Sequence, residues 1–310
     1  MGFNMNYLSL NTYLRNTYGE KLYRLSLQGG MTFPNRDGAL GTGGCIFCSA
    51  GGSGEFAASA TLSITEQIET AKQRVADKFK GSGYIAYFQS YTNTYAPVEY
   101  LEQIFTEAIT HPDVRILAIA TRPDCLGPEV LDLLDRLQRI KPVWIELGLQ
   151  TAREETATYI RRGYPLQVFE EAVANLRRCR IDVVVHLILG LPGETRDDML
   201  ASVDYIGGLD IQGVKLQLLH VLQGTDLEKE YANGNVELLD MEEYISIVGE
   251  CVEHLPEHVV IHRLTGDGDK RMLVAPKWSA DKKRVMNAMQ RYFREQDIVQ
   301  GCKKIAMQQK

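Results

Sequence analysis

Six runs of apolar, β-branched and aromatic residues alternate along this chain with segments whose apolar residues recur at helical spacing. The runs lie at 21–27, 84–89, 114–121, 143–150, 182–190 and 213–221. The helical segments lie between them at 65–79, 98–109, 127–137, 166–178 and 195–207. Alternating strands and helices require crossover connections, and repeated right-handed crossovers curl a parallel sheet toward a barrel. The sequence therefore predicts an α/β fold with a partial parallel (β/α)6 barrel.

The rest of the chain divides into two smaller parts around this barrel. We assign an N-terminal helical extension to residues 1–20, the barrel to 21–225 and a small C-terminal extension to 226–310. A short helix is predicted over Leu8–Tyr18. In the last part the patterns predict two helices over 226–253, an extra strand over 259–264 and a basic amphipathic helix over 281–296.

Composition excludes several classes of protein. Hydrophobic residues make up 45% of the 310 positions and charged residues 24%, as in ordinary globular proteins. No apolar run approaches the roughly 18 residues that a membrane span needs, and the N-terminus lacks the features of a signal peptide. The six cysteines are mostly far apart, which disfavours a secreted disulfide framework. We therefore expect a cytoplasmic protein that does not contact a membrane.

The charge distribution is uneven. The formal net charge of −6 opposes indiscriminate binding to nucleic acid. Between Lys270 and Arg294, however, eight basic residues stand against the single acid Asp281. Such a run is most often a solvated helix face, and the alternative is a surface that contacts phosphates.

A glycine-rich loop over 29–57 follows the first predicted strand and carries Cys45 and Cys48 as a Cys-x-x-Cys pair. Glycines let the backbone approach an inorganic cluster closely. Structural zinc, a redox dithiol and an iron–sulfur cluster are the three interpretations of this pair. Zinc needs four ligands and no second pair lies nearby, while a redox pair usually opens a helix in a much smaller fold. An iron–sulfur cluster is favoured.

The order of motifs along the chain resembles that of the radical S-adenosylmethionine (SAM) superfamily, and within it a bacterial family related to the catalytic subunit of Elongator. The motifs that carry the resemblance are PNRDG (34–38), GGCIFC (43–48), GGSGEFA (51–57), ATRPDCL (120–126), ELGLQT (146–151), IRRG (160–163), HLILGLPGET (186–195), KLQLLH (215–220) and HRLTGDG (262–268). The resemblance implies a [4Fe–4S] cluster held by three cysteines, with SAM on the fourth iron. It also implies a 5′-deoxyadenosyl radical that removes a hydrogen atom from substrate.

One position departs from that pattern. The resemblance implies a first cluster cysteine directly before PNRDG, and Phe33 stands there. Either another group replaces it, or the cluster is weak, or the chemistry has been lost. Asp37 and Cys125 are the candidate replacements, although carboxylate is a hard ligand for a soft cluster and Cys125 follows a distant strand.

The resemblance also implies where SAM binds. Gly190 and Gly193 would allow close approach of the nucleoside, with Glu194 as an acid in the cap region of the next helix. Taken alone, this segment is equally typical of a tight strand-to-helix turn. Gln89, Ser90 and Tyr91 end the second strand, where related enzymes contact the SAM amino group.

Polar side chains at the end of the fourth strand add to this site. Glu146 and Gln150 alternate with leucines, so they share one face near the barrel mouth, and ribose hydroxyls would satisfy them. Arg162 would pair with the methionyl carboxylate. For Arg161 and Arg162 a solvated helix end is the alternative interpretation.

The third strand is followed by the residues expected to face the substrate. These are Thr121, Arg122, Asp124 and Cys125. Cys125, as a hydrogen-atom donor, and Tyr91 are the candidate catalytic residues, although a lone cysteine is more often inert. The histidines and cysteines interpreted as structural are His220, His262, Cys179, Cys251 and Cys302.

Three functions remain open at this point. The leading hypothesis, from the kinship with Elongator, is a radical SAM enzyme that modifies a tRNA wobble uridine, using an electron donor such as flavodoxin or ferredoxin. The target base would have to be extruded into the barrel mouth. The second hypothesis is a non-catalytic relative that keeps nucleotide or RNA binding, and Phe33 is its main support. The third is a zinc or redox site at Cys45 and Cys48. The sequence does not specify an oligomeric state.

Overall fold

A parallel sheet of seven strands forms the centre of the molecule. The computed structural model describes residues 6–38, 41, 43–48, 61–77, 79, 81–89, 91–266 and 270–303. The strands lie in the order β1-β2-β3-β4-β5-β6-β8. Their bounds are β1 Tyr23–Leu27, β2 Tyr84–Phe88, β3 Val114–Thr121, β4 Val143–Gln150, β5 Asp182–Leu189, β6 Gly213–Leu218 and β8 Val260–Arg263.

The predicted α/β partial barrel is confirmed. All six predicted strands are present and pair in parallel with their neighbours in chain order. The extra strand expected at 259–264 forms β8, which pairs in parallel with β6 and makes the curled sheet one strand wider than six. Part of the segment assigned to a C-terminal extension therefore continues the barrel sheet, and the boundary at residue 225 stays a prediction.

The helices that connect successive strands cover the outer face of the sheet, because their apolar stripes pack against the strands. The helix bounds are α1 Leu10–Tyr18, α2 Ile64–Val75, α3 Val98–Thr110, α4 Pro128–Gln138, α5 Glu154–Tyr159, α6 Leu166–Arg178, α7 Arg196–Gly207, α8 Asp226–Ala232, α9 Met241–His254 and α10 Lys282–Glu295. Each predicted helix is thus present. Among the described residues, no helix combines the length and the apolar character that crossing a bilayer requires.

Helix α1 closes the end of the barrel at which the strands begin. Leu14 of α1 is buried in one apolar cluster with Ile85, Ile116 and Trp144, whose strands β2, β3 and β4 are neighbours in the sheet. The residue before α1, Ser9, forms a parallel bridge to Ile261 of β8. The N-terminal segment therefore seals the bottom of the barrel, and the lumen opens at the carboxyl ends of the strands, which we call the mouth.

A two-stranded antiparallel ribbon lies beside the mouth. It consists of β7, Val221–Leu222, directly after β6, and β9, Leu273–Ala275. A short 3₁₀ helix, Lys277–Ala280, then leads into α10. The ribbon fixes the residues around 270–277 near the carboxyl end of β6.

Candidate functional site

A polar layer crosses the middle of the barrel lumen, and Glu146 of β4 is its centre. The carboxylate is fully buried and lies 2.9 Å from a guanidinium nitrogen of Arg24 on β1. It also accepts hydrogen bonds from Tyr87 Oη at 2.6 Å, from His186 Nε2 at 2.9 Å and from Lys215 Nζ. Strands β1, β2, β5 and β6 thus each send one side chain to a single carboxylate, which satisfies the strong requirement of a buried charge for partners.

These contacts set the charge of the layer. Burial alone would raise the pKa of Glu146, but Lys215 and Arg24 hold that pKa well below its usual range, so the group stays ionised. Burial lowers the pKa of Lys215 well below its ordinary value, and Glu146 opposes this effect. Burial, together with Lys215, lowers the pKa of His186 to about 4. At neutral pH His186 is therefore a neutral imidazole.

The second histidine of the layer, His262 on β8, supports Arg24. Its Nδ1 lies 2.8 Å from a guanidinium nitrogen of Arg24, and burial followed by Arg24 lowers its pKa well below the ordinary value. A neutral Nδ1 can accept the hydrogen bond from Arg24. Its interpretation as a structural histidine fits this contact.

Sequence reasoning did not single out Arg24, Tyr87 or Lys215 as site residues. Arg24 and Lys215 lie within runs read as strands buried on both faces. Burying a cation in such a run costs free energy unless a counter-charge faces it. The presence of Arg24 and Lys215 in buried strands was therefore the sequence signal for a buried acidic partner. The partner itself was hidden, because Lys215 and Glu146 are 69 positions apart in the chain.

Gln150 lies above the polar layer, toward the mouth. A bulge between Gly148 and Gln150 shifts the register with β5, and Gln150 has a φ of 69°. Its Nε2 would be 2.6 Å from a Cβ placed on Gly148, so the side chain folds back over a glycine. The expectation that Glu146 and Gln150 occupy one face of β4 fits this placement, although Glu146 already has its partners within the protein.

Backbone hydrogen bonds of the residues on both sides of Cys45 hold the loop with Cys45 and Cys48 at the mouth. The backbone of Ile46 donates to the carbonyl of Ile160 at 3.4 Å and accepts from Leu227 at 2.9 Å, while its side chain is buried among apolar residues. The amide of Gly44 donates to the carbonyl of Asn35 at 2.8 Å. Gly44 itself has a φ of 62°, a conformation that glycine adopts without strain.

The two cysteines are neighbours in space. Cys48 Sγ lies 3.1 Å from Cys45 Sγ and donates to it. This hydrogen bond, with smaller contributions from Arg122 and Arg36, lowers the pKa of Cys45 to about 7 despite burial. The same contact and burial raise the pKa of Cys48 well above its ordinary value. The pair therefore offers one thiol that ionises readily, as a metal ligand must.

Phe33 occupies the place where a third thiolate was expected. Its ring contacts the ring of Tyr91 edge-on, with 5.0 Å between centroids, and the Arg36 guanidinium lies 5.8 Å from the same ring. The Phe33 carbonyl accepts from the amides of Arg36 and Asp37 at 3.0 and 3.2 Å. An aromatic ring offers no donor to iron, so the described residues do not fit a cluster held by Cys45, Cys48 and the side chain at position 33.

The residues that end β2 lie beside this loop. The amide of Gln89 donates to Leu27 of β1 at 3.3 Å, and the Gln89 side chain is partly exposed. Tyr91 has a φ of 64° and packs against Phe33. Ser90 lies outside the described residues. The structure thus places Gln89 and Tyr91 at the mouth, next to the cluster loop.

The turn between β5 and α7 contains two glycines in the left-handed conformation. Gly190 has a φ of 82° and Gly193 one of 79°. Thr195 begins α7 in a reciprocal capping box with Asp198, so Glu194 is not the cap. Glu194 instead accepts a hydrogen bond from Thr151 Oγ1, and burial raises its pKa. The acid links this turn to the end of β4.

Arg162 is a buried brace below the mouth. Its guanidinium donates to the carbonyls of Tyr164 and Thr151 at 3.0 and 2.8 Å and to Glu154 at 2.7 Å. These contacts hold the segment after α5 against the end of β4. The predicted partner, a methionyl carboxylate, would have to share this guanidinium with Glu154.

Cys125 lies in a cavity at the rim of the mouth. The cavity has a volume of about 770 Å³ and its lining includes Pro34, Tyr95, Asp124 and Cys125. Asp124 forms a bidentate ion pair with Arg122, at 2.9 and 2.7 Å. Burial and the neighbouring Asp124 raise the pKa of Cys125 to about 12, so it carries its hydrogen at neutral pH. The cavity joins the cluster loop to the end of β3.

A second group of metal-type side chains lies far from the mouth, at the amino end of β3. Glu69, His111 and Asp113 converge there. The Lys72 ammonium lies 2.8 Å from Glu69 and 2.5 Å from Asp113, and it fills the position that a cation would take. This group is a salt-bridge cluster.

Comparison with known proteins agrees with this geometry. The family model described as "Radical SAM superfamily" matches residues 41–206, which include both cysteines and the strands β2 to β5. The chain belongs to the radical SAM superfamily. A second model, "Radical_SAM C-terminal domain", matches residues 211–295.

The chain is also similar to two individual proteins and to one solved structure. It is 42% identical over 295 residues to the protein YtqA of Bacillus subtilis, with 95% of this chain and 92% of YtqA covered. It is 27% identical over 154 residues to the tRNA uridine(34) acetyltransferase of Methanocaldococcus jannaschii, covering 49% of this chain and 28% of that protein. The structure of archaeal Elp3 from Methanocaldococcus infernus superimposes with a TM-score of 0.69 at 16% identity, covering 90% of this chain and 64% of Elp3. The last comparison shows a shared fold.

Proposed function

We propose that this protein is a SAM-dependent enzyme that modifies a uridine of tRNA. The observation that carries the proposal is the placement of Cys45 and Cys48, 3.1 Å apart, over the mouth of a radical SAM barrel. In this family a cluster and SAM together supply a radical able to attack an unactivated C–H bond. The resemblance to Elp3 and to a tRNA uridine(34) acetyltransferase supports the choice of tRNA.

We assign SAM to the upper part of the lumen. Gln150 and the Gly190–Glu194 turn face that space from neighbouring strands β4 and β5. At Gly193 the space where a Cβ would lie is open, so the backbone there can be approached closely, whereas the Leu239 side chain packs against Gly190. Gln89 and Tyr91 would contact SAM from the β2 side, and Ser90 is assigned with them from sequence alone. Glu146 and Arg162 act in this proposal as positioning residues, because their polar atoms are held by protein partners.

We assign the target base to the cavity that contains Cys125. Tyr95 and Pro34 give this cavity flat apolar surfaces, on which an extruded base can stack. Cys125 keeps its hydrogen because its pKa is raised to about 12. A thiol that keeps its hydrogen is compatible with the role of hydrogen-atom donor that the sequence suggested for Cys125.

Position 33 defines the second candidate function. With Phe33 in place, Cys45 and Cys48 supply two thiolates, and a third protein ligand would have to come from Asp37 or Cys125. If neither serves, the chain is a SAM-binding or RNA-binding relative without cluster chemistry. Phe33 is the specific observation that favours this alternative.

Iron and SAM assays separate the two functions. The protein is purified without oxygen and reconstituted with iron and sulfide, and bound iron, acid-labile sulfide and released 5′-deoxyadenosine are measured. The variants are Phe33→Cys, with Phe33→Leu as the control for loss of the ring, and Asp37→Asn and Cys125→Ser as tests of the third ligand. SAM binding is measured separately by calorimetry.

The proposal predicts about four irons per chain and release of 5′-deoxyadenosine by the unaltered protein, with loss of both in Asp37→Asn. Loss of bound iron in Cys125→Ser would make Cys125 the third ligand and would exclude it as the hydrogen donor. Activity confined to Phe33→Cys establishes the second candidate. One zinc ion per chain and no sulfide would contradict both candidate functions and support a zinc site.

A further inference from the structure

Helix α10 runs from the mouth of the barrel to its bottom. At its start, Trp278 of the preceding 3₁₀ helix contacts Tyr244, with 5.7 Å between ring centroids, and Tyr244 Oη donates to the carbonyl of Leu264, just past the end of β8. Beyond its end, Gln300 Nε2 donates to the carbonyl of Val259 at 2.8 Å, just before β8 begins. The first turn of α10 therefore lies at the same end of the barrel as Cys45 and Cys125.

Positive charge is concentrated at that end. We call the following residues the basic rim, and all of them are exposed: Lys270, Arg271, Lys277, Lys282, Lys283 and Arg284. The first three flank β9, which pairs with β7 directly after β6, and the last three form the first turn of α10. Two separate segments thus bring cations to one edge of the mouth.

The first turn of α10 is arranged unfavourably for an isolated protein. It contains three cations and no acid, although the amino end of a helix favours negative charge. Asp281, the N-cap, accepts from the Arg284 backbone amide at 3.0 Å. Within the described ranges, Lys283 and Arg284 have no carboxylate within salt-bridge distance. A bound polyanion would supply a counter-charge for Lys283 and Arg284.

The surface is polar throughout. Three apolar residues of α10, Val285, Met289 and Phe293, are buried against the rest of the protein, and Met286 and Ala288 are half-buried. An amphipathic helix that binds lipid must have its apolar face available to enter the bilayer. The face that α10 presents to solvent offers charge and hydrogen-bond donors, which suits phosphate groups along a nucleic acid backbone.

We propose that the basic rim binds backbone phosphates of the RNA whose base enters the cavity at Cys125. This inference rests on the proposed function for its choice of RNA. The rim supplies affinity that does not depend on sequence, while the cavity selects the base. Because the rim and the cavity lie at the same end of the barrel, one RNA molecule can contact both.

Binding of unmodified tRNA to the purified full chain tests the proposal without iron or SAM. Affinity is measured by fluorescence anisotropy over a series of salt concentrations. The test variant is Lys282→Gln/Lys283→Gln/Arg284→Gln. The matched control, Arg74→Gln/Arg139→Gln/Arg178→Gln, removes three exposed cations from the last turns of α2, α4 and α6 or just beyond, at the bottom of the barrel. Thermal unfolding is recorded for both variants.

The rim variant is expected to bind tRNA at least tenfold more weakly and to reduce the slope of log K against log salt by roughly 2, since each lost phosphate contact removes about 0.7 to 0.9. Its melting temperature should stay equal or rise, because the substitutions remove cations from a helix amino end. The control should bind as the unaltered protein does. Equal weakening in both variants, no binding by the unaltered protein, or tighter binding of duplex DNA than of tRNA overturns the proposal. Since iron content and SAM cleavage are not measured, these outcomes leave the enzymatic assignment to its own assay.

Discussion

Lys215 on β6 donates a hydrogen bond to Glu146 on β4, across the strand β5 that separates them in the sheet. The lysine is 2% exposed and the glutamate fully buried. The pair links two strands, β4 and β6, through the lumen. The same pair lies directly below the proposed SAM site, so it belongs both to the core of the barrel and to the lower boundary of that site.

Breaking this pair should destabilise the protein strongly. Lys215→Met leaves Glu146 with less compensating charge, and the expected loss is about 3 to 5 kcal/mol of unfolding free energy. The double variant Glu146→Gln/Lys215→Met should lose clearly less than the sum of the two single variants. Urea unfolding measures all three. Lys229→Met, which removes an exposed ion pair with Asp226, is the control and should cost about 1 kcal/mol or less. Additive single losses would show that the lumen pair is not coupled.

Stability should fall as the pH drops from 6.5 toward 4. The pKa of His186 is lowered from 6.5 to about 4, so in this range the unfolded chain binds a proton that the folded chain excludes. The contribution lost at the acid end is about 3 kcal/mol. Unfolding free energies measured across this range should show a shallower slope for His186→Gln. The control is His258→Gln, a substitution at an exposed position, and it is expected to leave the slope of unfolding free energy against pH unchanged. Parallel curves for His186→Gln and the unaltered protein would contradict the assignment.

A methyl group at position 148 should displace Gln150. A Cβ on Gly148 would lie 2.6 Å from Gln150 Nε2, which is the movable end of a side chain, so Gly148→Ala should change folding stability little. If Gln150 contacts SAM, the dissociation constant for SAM should rise about tenfold in both Gly148→Ala and Gln150→Ala. The double variant should be no worse than either single one. Calorimetric titration with SAM gives the values, and independent additive losses would place Gln150 elsewhere.

Cysteine reactivity should differ sharply within the site of the metal-free, reduced protein. Cys45 has a pKa near 7, set first by the hydrogen bond from Cys48, whereas burial raises that of Cys125 to about 12. Iodoacetamide at neutral pH should therefore modify Cys45 first, as read by peptide mass spectrometry. In Cys48→Ala the pH profile of Cys45 alkylation should move upward. Faster modification of Cys125 than of Cys45 would reverse the assigned roles.

Much of the fold could be predicted from sequence because its signals are local. Strands such as Val114–Thr121 and Val143–Gln150 are short apolar runs, and they can be recognised in the sequence without knowing how their side chains pack. The apolar spacing also located helix α7, although the sequence reasoning named Glu194 at its start and the structure has Thr195 as the N-cap, with its partner Asp198 three residues on. The Cys-x-x-Cys spacing singled out Cys45 and Cys48, and the structure brings their sulfur atoms together.

The remainder depends on contacts between distant segments. Glu146 was expected to need a ligand, yet its partners come from Arg24 and Lys215, which are 122 and 69 positions away. The bulge at Gly148 and Gln150 is a property of pairing with β5 and leaves no pattern in β4 alone. Arg162 looked available from its motif, and only the folded chain shows Glu154 and two carbonyls around it.

Helix α1 closes the bottom of the barrel, so a ligand of the lumen enters and leaves through the mouth. Leu14 and its neighbours on the strands block passage through that end, so a small molecule reaches the lumen by the same opening that a large substrate would cover. Turnover would then follow a compulsory order, in which the nucleoside enters before the macromolecule docks and leaves after it departs. Under the proposed function, bound tRNA would cover the mouth, and excess tRNA would slow exchange of the small ligand in proportion to the residence time of the tRNA.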